Sequence, residues 1–272
     1  MGLREWLRDR FLLGPITEWP AISYEEVEFW SKPGVELKGW WLPAGSRKCV
    51  VLVHGGLRHR GDASIGTIQL AEGLVERGYN ALMFDLRGHG DSGGEWKTAG
   101  YEEAWDVEEV FNWVVADKGI LPENIVLWGF SMGAAASIEV ASQNSRISTI
   151  ISDSCWAEFS DIMRLRWDGK MFFRSLHNVL LQRFLLGNMP AVDPVKVVRA
   201  VSARILFIHG REDMTIPLTH AEELYKVAER HHPGKNRILV VESASHVGSH
   251  RQGSEKYLDE ALRFIEEKRA QA

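Results

Sequence analysis

Asn124-Ile125-Val126-Leu127-Trp128-Gly129-Phe130-Ser131-Met132-Gly133-Ala134-Ala135-Ala136-Ser137 is the stretch on which the fold turns. The run 125–128 is short, apolar and continuous, as in a parallel strand buried on both faces. The small residues from Ala134 to Ser137 read as a helix. Between them lies Gly-x-Ser-x-Gly. A turn passing straight from strand to helix is so tight that flanking side chains would clash, hence the glycines. It lifts the Ser131 hydroxyl above the carboxyl end of the strand. The helix N-terminus beneath favours developing negative charge. A serine in this strand–turn–helix setting is a candidate nucleophile.

Further apolar runs lie at 49–53, 81–86, 147–151, 205–208 and 238–241. Helical stripes separate them: Ala104, Val107, Phe111, Val114 and Val115; then Leu224, Val227 and Ala228; then Tyr257, Leu258, Ala261, Leu262 and Ile265. This alternation predicts a wound parallel sheet with helices on both faces. Ahead of it, 27–30 and 37–42, with Ser31-Lys32-Pro33-Gly34 between them, predict an antiparallel hairpin. About fifty residues with no strand signal separate Ser152 from Arg204, an unusual length for a connection. A helical cap inserted over 155–200 in a single domain spanning 1–272 accounts for them. Trp167, Phe172, Phe173, Leu176 and Phe184 fall there. Trp167 and Phe172, with Leu57, are candidate substrate-binding residues; packing of the cap on the sheet is the plainer reading of these aromatics.

Gly-x-Ser-x-Gly occurs a second time, as Gly90-Asp91-Ser92-Gly93-Gly94, so the string alone decides nothing. Ser92 stands well past its strand, in a glycine loop with no helix directly after it. Gly-Asp-Ser-Gly-Gly also resembles the nucleophile segment of chymotrypsin-like proteases. Those are all-β and carry histidine and aspartate ahead of the serine. This chain alternates strands and helices, so Asp91 and Ser92 read as a structural turn.

A serine hydroxyl needs a base, and the base an orienting acid. The run 205–208 leads into His209-Gly210-Arg211-Glu212-Asp213, which puts Asp213 just beyond a strand's carboxyl end; Glu212 is the rival acid. The run 238–241 leads into Glu242-Ser243-Ala244-Ser245-His246, which makes His246 the base, with His250 the alternative. The order Ser131, Asp213, His246 is the nucleophile–acid–base order of a triad carried on successive strands. An oxyanion needs donors. The Met132 N–H, next after Ser131, is one. The other belongs to His54-Gly55-Gly56-Leu57, with Gly56 preferred and Leu57 the alternate. His54 reads as a residue that holds this loop by hydrogen bonds.

The 272 residues suit one large α/β domain. A formal charge of −5 points to neither nucleic acid nor an anionic membrane surface as partner. The two cysteines, Cys49 and Cys155, have no paired spacing and read as buried thiols of a reducing, cytoplasmic compartment. Residues 1–13 carry too many charges for a secretory leader, and no apolar run reaches the ~20 residues of a membrane span. Leu3, Trp6, Leu7 and Phe11 suit one face of a short helix. Of the ten histidines, His231-His232 stand beside Pro233 in a polar turn and no HExxH occurs, so no metal is expected.

These segments together resemble the α/β-hydrolase superfamily over nearly the whole chain: Leu52-Val53-His54-Gly55-Gly56; Asp85-Leu86-Arg87-Gly88-His89-Gly90-Asp91-Ser92; Gly129 to Gly133; Leu206-Phe207-Ile208-His209-Gly210 with Asp213 and Pro217; and Ser245-His246. The chain is most similar to small bacterial hydrolases with a short cap and to carboxylesterases. The resemblance implies a mostly parallel eight-stranded sheet, a cofactor-free acyl-enzyme mechanism on a small-molecule acyl substrate, and a structural loop over 87–92. Ala244-Ser245 departs from the glycine that many relatives have before the base histidine. Serine at 131 sets the chain apart from haloalkane dehalogenases and epoxide hydrolases, which carry aspartate there. An esterase is the expected activity. A thioesterase, amidase, peptidase, carbon–carbon hydrolase, perhydrolase or acyltransferase would use the same triad, and a non-catalytic receptor the same fold. Oligomeric state has no signal in the sequence.

Overall fold

The computed structural model describes residues 15–165 and 190–267, the side chains of 163–165, 254 and 255 excepted. The segment with Leu3, Trp6, Leu7 and Phe11, and the cap residues Trp167, Phe172, Phe173, Leu176 and Phe184, lie outside the described residues.

Eight strands form one sheet: β1 (Glu25–Ser31), β2 (Val35–Leu42), β3 (Cys49–Val53), β4 (Asn80–Phe84), β5 (Ile125–Phe130), β6 (Thr149–Asp153), β7 (Arg204–Gly210) and β8 (Arg237–Val241). Their spatial order is β1-β2-β4-β3-β5-β6-β7-β8. The β1–β2 and β2–β4 pairs are antiparallel and every later pair is parallel. The helices are α1 (Thr67–Glu76), α2 (Tyr101–Ala116), α3 (Met132–Gln143), α4 (Phe159–Leu165), α5 (Pro194–Val197), α6 (Thr219–His231) and α7 (Ser249–Glu267).

Strand side chains alternate between two cores, as the period of two requires. Val51, Val53, Leu127, Ile150 and Phe207 face α2, α3 and α6. Val50, Leu52, Val126, Trp128, Ile151 and Ile208 face α1 and α7. Burial on both faces is why β3, β4 and β5 read as continuous apolar runs. The edge strand β8 is only half-buried.

Several strand boundaries differ from the sequence reading; the run 81–86, for one, gives a strand that stops at Phe84. The apolar run 147–151 becomes a strand over Thr149–Asp153. Ile147 is buried in the turn before it, its N–H donating to Asn144 O at 3.2 Å. Ser152 and Asp153, polar yet buried, extend the ladder opposite Phe207 and Ile208. They do so because the sheet supplies their backbone partners and neighbouring loops supply partners for the Asp153 side chain. The loops that leave the carboxyl ends of β3, β4, β5, β6, β7 and β8 converge, and the open end of the parallel sheet is where a ligand crevice belongs.

Candidate active site

Ser131 occupies the one-residue turn between β5 and α3, at φ 52 and ψ −112. The chain has to be bare on both sides of it. A Cβ at Gly129 would stand 2.5 Å from Ala134 Cα, and one at Gly133 would stand 2.5 Å from His54 O while overlapping Val53 O. The Ser131 side chain does not cap α3. Its Oγ lies 3.1 Å from His246 Nε2, and His246 Nδ1 lies 2.8 Å from Asp213 Oδ2.

Asp213 is held on both oxygens. Oδ1 accepts the N–H groups of Thr215 and Ile216, each at 2.8 Å. Oδ2 faces His246 and stands 3.4 Å from Nε2 of the buried His209. Burial alone would push this carboxyl up, but hydrogen bonds from His209, His246 and the backbone hold it well below the usual carboxylate range. It is therefore an anion at any working pH. The rival acid Glu212 is exposed, and its N–H binds Ala244 O at 3.0 Å, which stitches the acid loop to the base loop. The rival base His250 points elsewhere: Nδ1 is 3.1 Å from Ile65 O, and the ring packs on Tyr257.

The Ala244-Ser245 pair needs no glycine, because the left-handed residue of this loop is Val247, at φ 52. Among the described residues, four non-glycine positions have left-handed φ: Leu57, Ser131, Ser154 and Val247. They follow β3, β5, β6 and β8, all at the carboxyl edge of the sheet. Such conformations cost roughly 1–3 kcal/mol each and persist only where the surroundings dictate them, which is characteristic of functional sites.

Asp153 supplies part of those surroundings, and sequence reasoning missed it. Its backbone oxygen accepts the Ser131 N–H at 2.8 Å. Its carboxylate accepts the hydroxyls of Ser154 (2.8 Å), Ser249 (3.2 Å) and Tyr257 (2.8 Å). Ser154 Oγ in turn accepts the Val247 N–H at 3.1 Å, next to His246. Burial raises the Asp153 carboxyl above its usual range despite these hydroxyls. His209 was missed as well. Burial opposes its protonation, but contact with Asp213 and Ile216 O outweighs this and raises it.

The loop after β3 lies against α3. A Cβ at Gly56 would meet Met132 Sδ at 3.3 Å and the Trp96 ring at 3.5 Å. Met132 opens α3, where helix N–H groups lack intrahelical partners. Neither the Gly56 nor the Met132 N–H donates a hydrogen bond among the described residues. The Leu57 N–H is engaged, by His89 Nε2 at 3.3 Å. The Leu57 side chain is half-buried against the core. His54 is buried and pushed down by that burial. It uses both ring nitrogens: Nδ1–H donates to Gly55 O (2.7 Å) and Nε2 accepts the Leu86 N–H (3.0 Å).

The second Gly-x-Ser-x-Gly is a joint of the loop after β4. Ser92 Oγ donates to Asp85 O at 2.7 Å and accepts the Lys38 N–H at 2.9 Å. Asp85, fully buried, pairs with Arg60, which also binds Asp91. Among the described residues no cluster of three or more His, Cys, Asp or Glu suits a metal, and no helix is long and apolar enough to cross a membrane.

Residues 22–175 match the family described as X-Pro dipeptidyl-peptidase (S15 family). The chain belongs to this family. The matched stretch contains Ser131 and ends before Asp213 and His246. The S15-family chain is similar to the uncharacterized protein YfhR of Escherichia coli K12, at 29% identity over 251 residues, covering 89% of this chain and 81% of that one. It is 27% identical to human ABHD12B over 215 residues, covering 74% and 56% of the two chains. The structure of the Pyrococcus furiosus esterase Pf2001 superposes with a TM-score of 0.81 at 25% identity, covering 94% of this chain and 98% of that one. The S15-family chain has the α/β-hydrolase fold and is a hydrolase of that type.

Proposed function

We propose that the chain is a serine hydrolase that cleaves carboxylic esters through an acyl-enzyme on Ser131. The observation that carries this reading is the continuous path Ser131 Oγ–His246 Nε2, His246 Nδ1–Asp213 Oδ2, at 3.1 and 2.8 Å. Ser131 attacks the acyl carbonyl while His246 Nε2 takes the hydroxyl proton. Asp213, ionised throughout, keeps the Nδ1–H tautomer and stabilises the imidazolium. The N–H groups of Gly56 and Met132 receive the oxyanion, the Leu57 N–H being committed elsewhere. His246 then protonates the leaving alcohol. Water, deprotonated by the same nitrogen, attacks the acyl-enzyme and releases the acid.

Leu57, beside the donors, lines the acyl site in this reading. The segment 155–200 is its cap, bringing Trp167 and Phe172 to the substrate, within one domain over 1–272. Buried, unpaired Cys49 and Cys155 support a reducing compartment, the cytoplasm. Membership of a peptidase family favours a second reading, cleavage of a peptide bond after proline, with the same triad.

The test is a panel of p-nitrophenyl acyl esters of rising chain length beside the matching thioesters and Xaa-Pro-p-nitroanilides. Turnover of esters over anilides is expected; the reverse makes the chain a peptidase. Ser131→Ala should lower ester turnover roughly 10⁴–10⁶-fold in a folded protein, and near-normal turnover would end both readings.

A further inference from the structure

The loop that carries Gly56 is fixed by a histidine with no place in the proton path. His89 Nδ1 lies 2.8 Å from Arg87 O, so it carries the proton and donates it there. That leaves Nε2 as a lone-pair acceptor, and the Leu57 N–H points at it from 3.3 Å. The ring is buried and clamped between two others. Its centroid is 5.1 Å from that of His54 and 5.0 Å from that of Trp96. Leu57 itself is at φ 61, where a branched side chain is disfavoured by roughly 1–2 kcal/mol. A residue without glycine's freedom stays there only if a neighbour dictates it, and the hydrogen bond to His89 does so. With the Leu57 N–H turned down to the imidazole, the preceding N–H, that of Gly56, is the one left for the site. Gly56 also packs on Met132, the other candidate donor.

We propose that His89 is a positioning residue of the oxyanion hole: its Nε2 lone pair holds the Leu57 N–H and thereby aims the Gly56 N–H at the acyl oxygen above Ser131. The inference rests on the serine-hydrolase reading. It assigns His89 no proton transfer and no contact with substrate.

Two variants separate the lone pair from the ring. His89→Phe keeps a ring between His54 and Trp96 but offers no acceptor. His89→Gln offers an amide oxygen near the Nε2 position. The readout is the ratio of kcat/KM for a p-nitrophenyl ester to that for its thionoester, whose sulfur is a poor hydrogen-bond acceptor. Both substrates are read on one sample, so any misfolded fraction cancels from the ratio. His89→Phe should lower ester turnover roughly 10²–10³-fold, the usual effect of losing one oxyanion donor, and lower the ratio at least about tenfold. His89→Gln should recover most of both. A ratio unchanged in His89→Phe, whether turnover falls or not, overturns the role in the hole and leaves His89 a packing residue. So does a His89→Gln variant no better than His89→Phe. A wild-type chain whose Ser131 takes neither a fluorophosphonate nor an ester overturns the hydrolase reading itself, and this inference with it.

Discussion

Asp213→Asn changes one atom and should nearly abolish turnover, for a reason visible in the bonding of the two carboxylate oxygens. Oδ1 accepts two backbone N–H groups, from Thr215 and Ile216 at 2.8 Å each. An amide NH2 placed there would face two donors, so the asparagine must keep its oxygen on that side. Its NH2 then occupies the Oδ2 position, 2.8 Å from His246 Nδ1. There it donates to Nδ1, and the imidazole proton moves to Nε2. Nε2 now donates toward Ser131 Oγ instead of accepting from it, so the base is lost while the geometry survives. The imidazolium also loses its counter-charge. Inverting the tautomer in a triad lowers kcat about 10⁴-fold, or about 5.5 kcal/mol of barrier. The assay is steady-state hydrolysis of a p-nitrophenyl ester, with far-UV circular dichroism and a thermal melt as folding controls. Glu212→Gln is the matched control, since the Glu212 side chain is exposed, and it should stay within about twofold of wild type. A folded Asp213→Asn that retains a tenth of wild-type kcat would refute the assignment of Asp213 as the orienting acid.

Three further outcomes are expected. Ser92→Ala removes two hydrogen bonds of the β4 loop, to Asp85 O and from the Lys38 N–H. It should cost about 1–2 kcal/mol in urea denaturation and leave the kcat of the folded enzyme unchanged; a loss like that of Ser131→Ala would make the second Gly-x-Ser-x-Gly the nucleophile after all. Ser154→Ala strands the buried Val247 N–H, for about 1–3 kcal/mol of stability, and loosens the His246 loop enough to lower kcat roughly 10- to 100-fold; an unaffected kcat would show that the loop is fixed without it. Glu103 is buried, accepts from Thr98 Oγ1 and the Gly100 N–H, and is pushed up by burial from 4.5 to about 7. The folded state therefore holds this proton more tightly than the unfolded chain. Its contribution is full below pH 4.5, declines as pH rises toward about 7 and is flat above. That amounts to about 3 kcal/mol across the window. Urea titrations at pH 5, 6, 7 and 8 should show this slope in wild type and its absence in Glu103→Gln; parallel slopes would contradict it.

The sheet and the strand–turn–helix that carries Ser131 were legible because they are written locally. A run such as 125–128 next to Gly129-Phe130-Ser131-Met132-Gly133 carries both its burial and its turn in consecutive residues. The Ser92 string failed the same local test, and its hydroxyl is spent on Asp85 and Lys38. That Asp213 and His246 come together beside Ser131 was legible from position, each just past a strand end. The preference for Gly56 over Leu57 rested on glycine alone; that the Leu57 N–H is engaged was not legible, because its partner His89 lies 32 positions away. Asp153 was hidden for a related reason: beyond its neighbour Ser154, the residues it binds, Ser249 and Tyr257, come from α7, far along the chain. A buried polar group is satisfied in three dimensions, and its partners leave no period or spacing behind. One signal was present. His54-Gly55, His89-Gly90 and His209-Gly210 each stand at or beyond the end of a strand run. Each of these histidines is now buried beneath the site, fixing a loop or contacting Asp213.

The four left-handed, non-glycine positions around Ser131 set the heat tolerance of this protein against its chemistry. At roughly 1–3 kcal/mol apiece, they hold down an appreciable share of the ~5–15 kcal/mol that separates a folded domain from its unfolded chain. A change that relieved this strain at Leu57 or Val247 while keeping their side-chain packing on the two cores would raise the melting temperature. In the proposed mechanism it would also free the backbone that aims the oxyanion donor or the base. Selection for survival at high temperature alone would therefore drift toward a sturdier and idler protein. Screens for thermostable variants of this chain should score turnover and melting together.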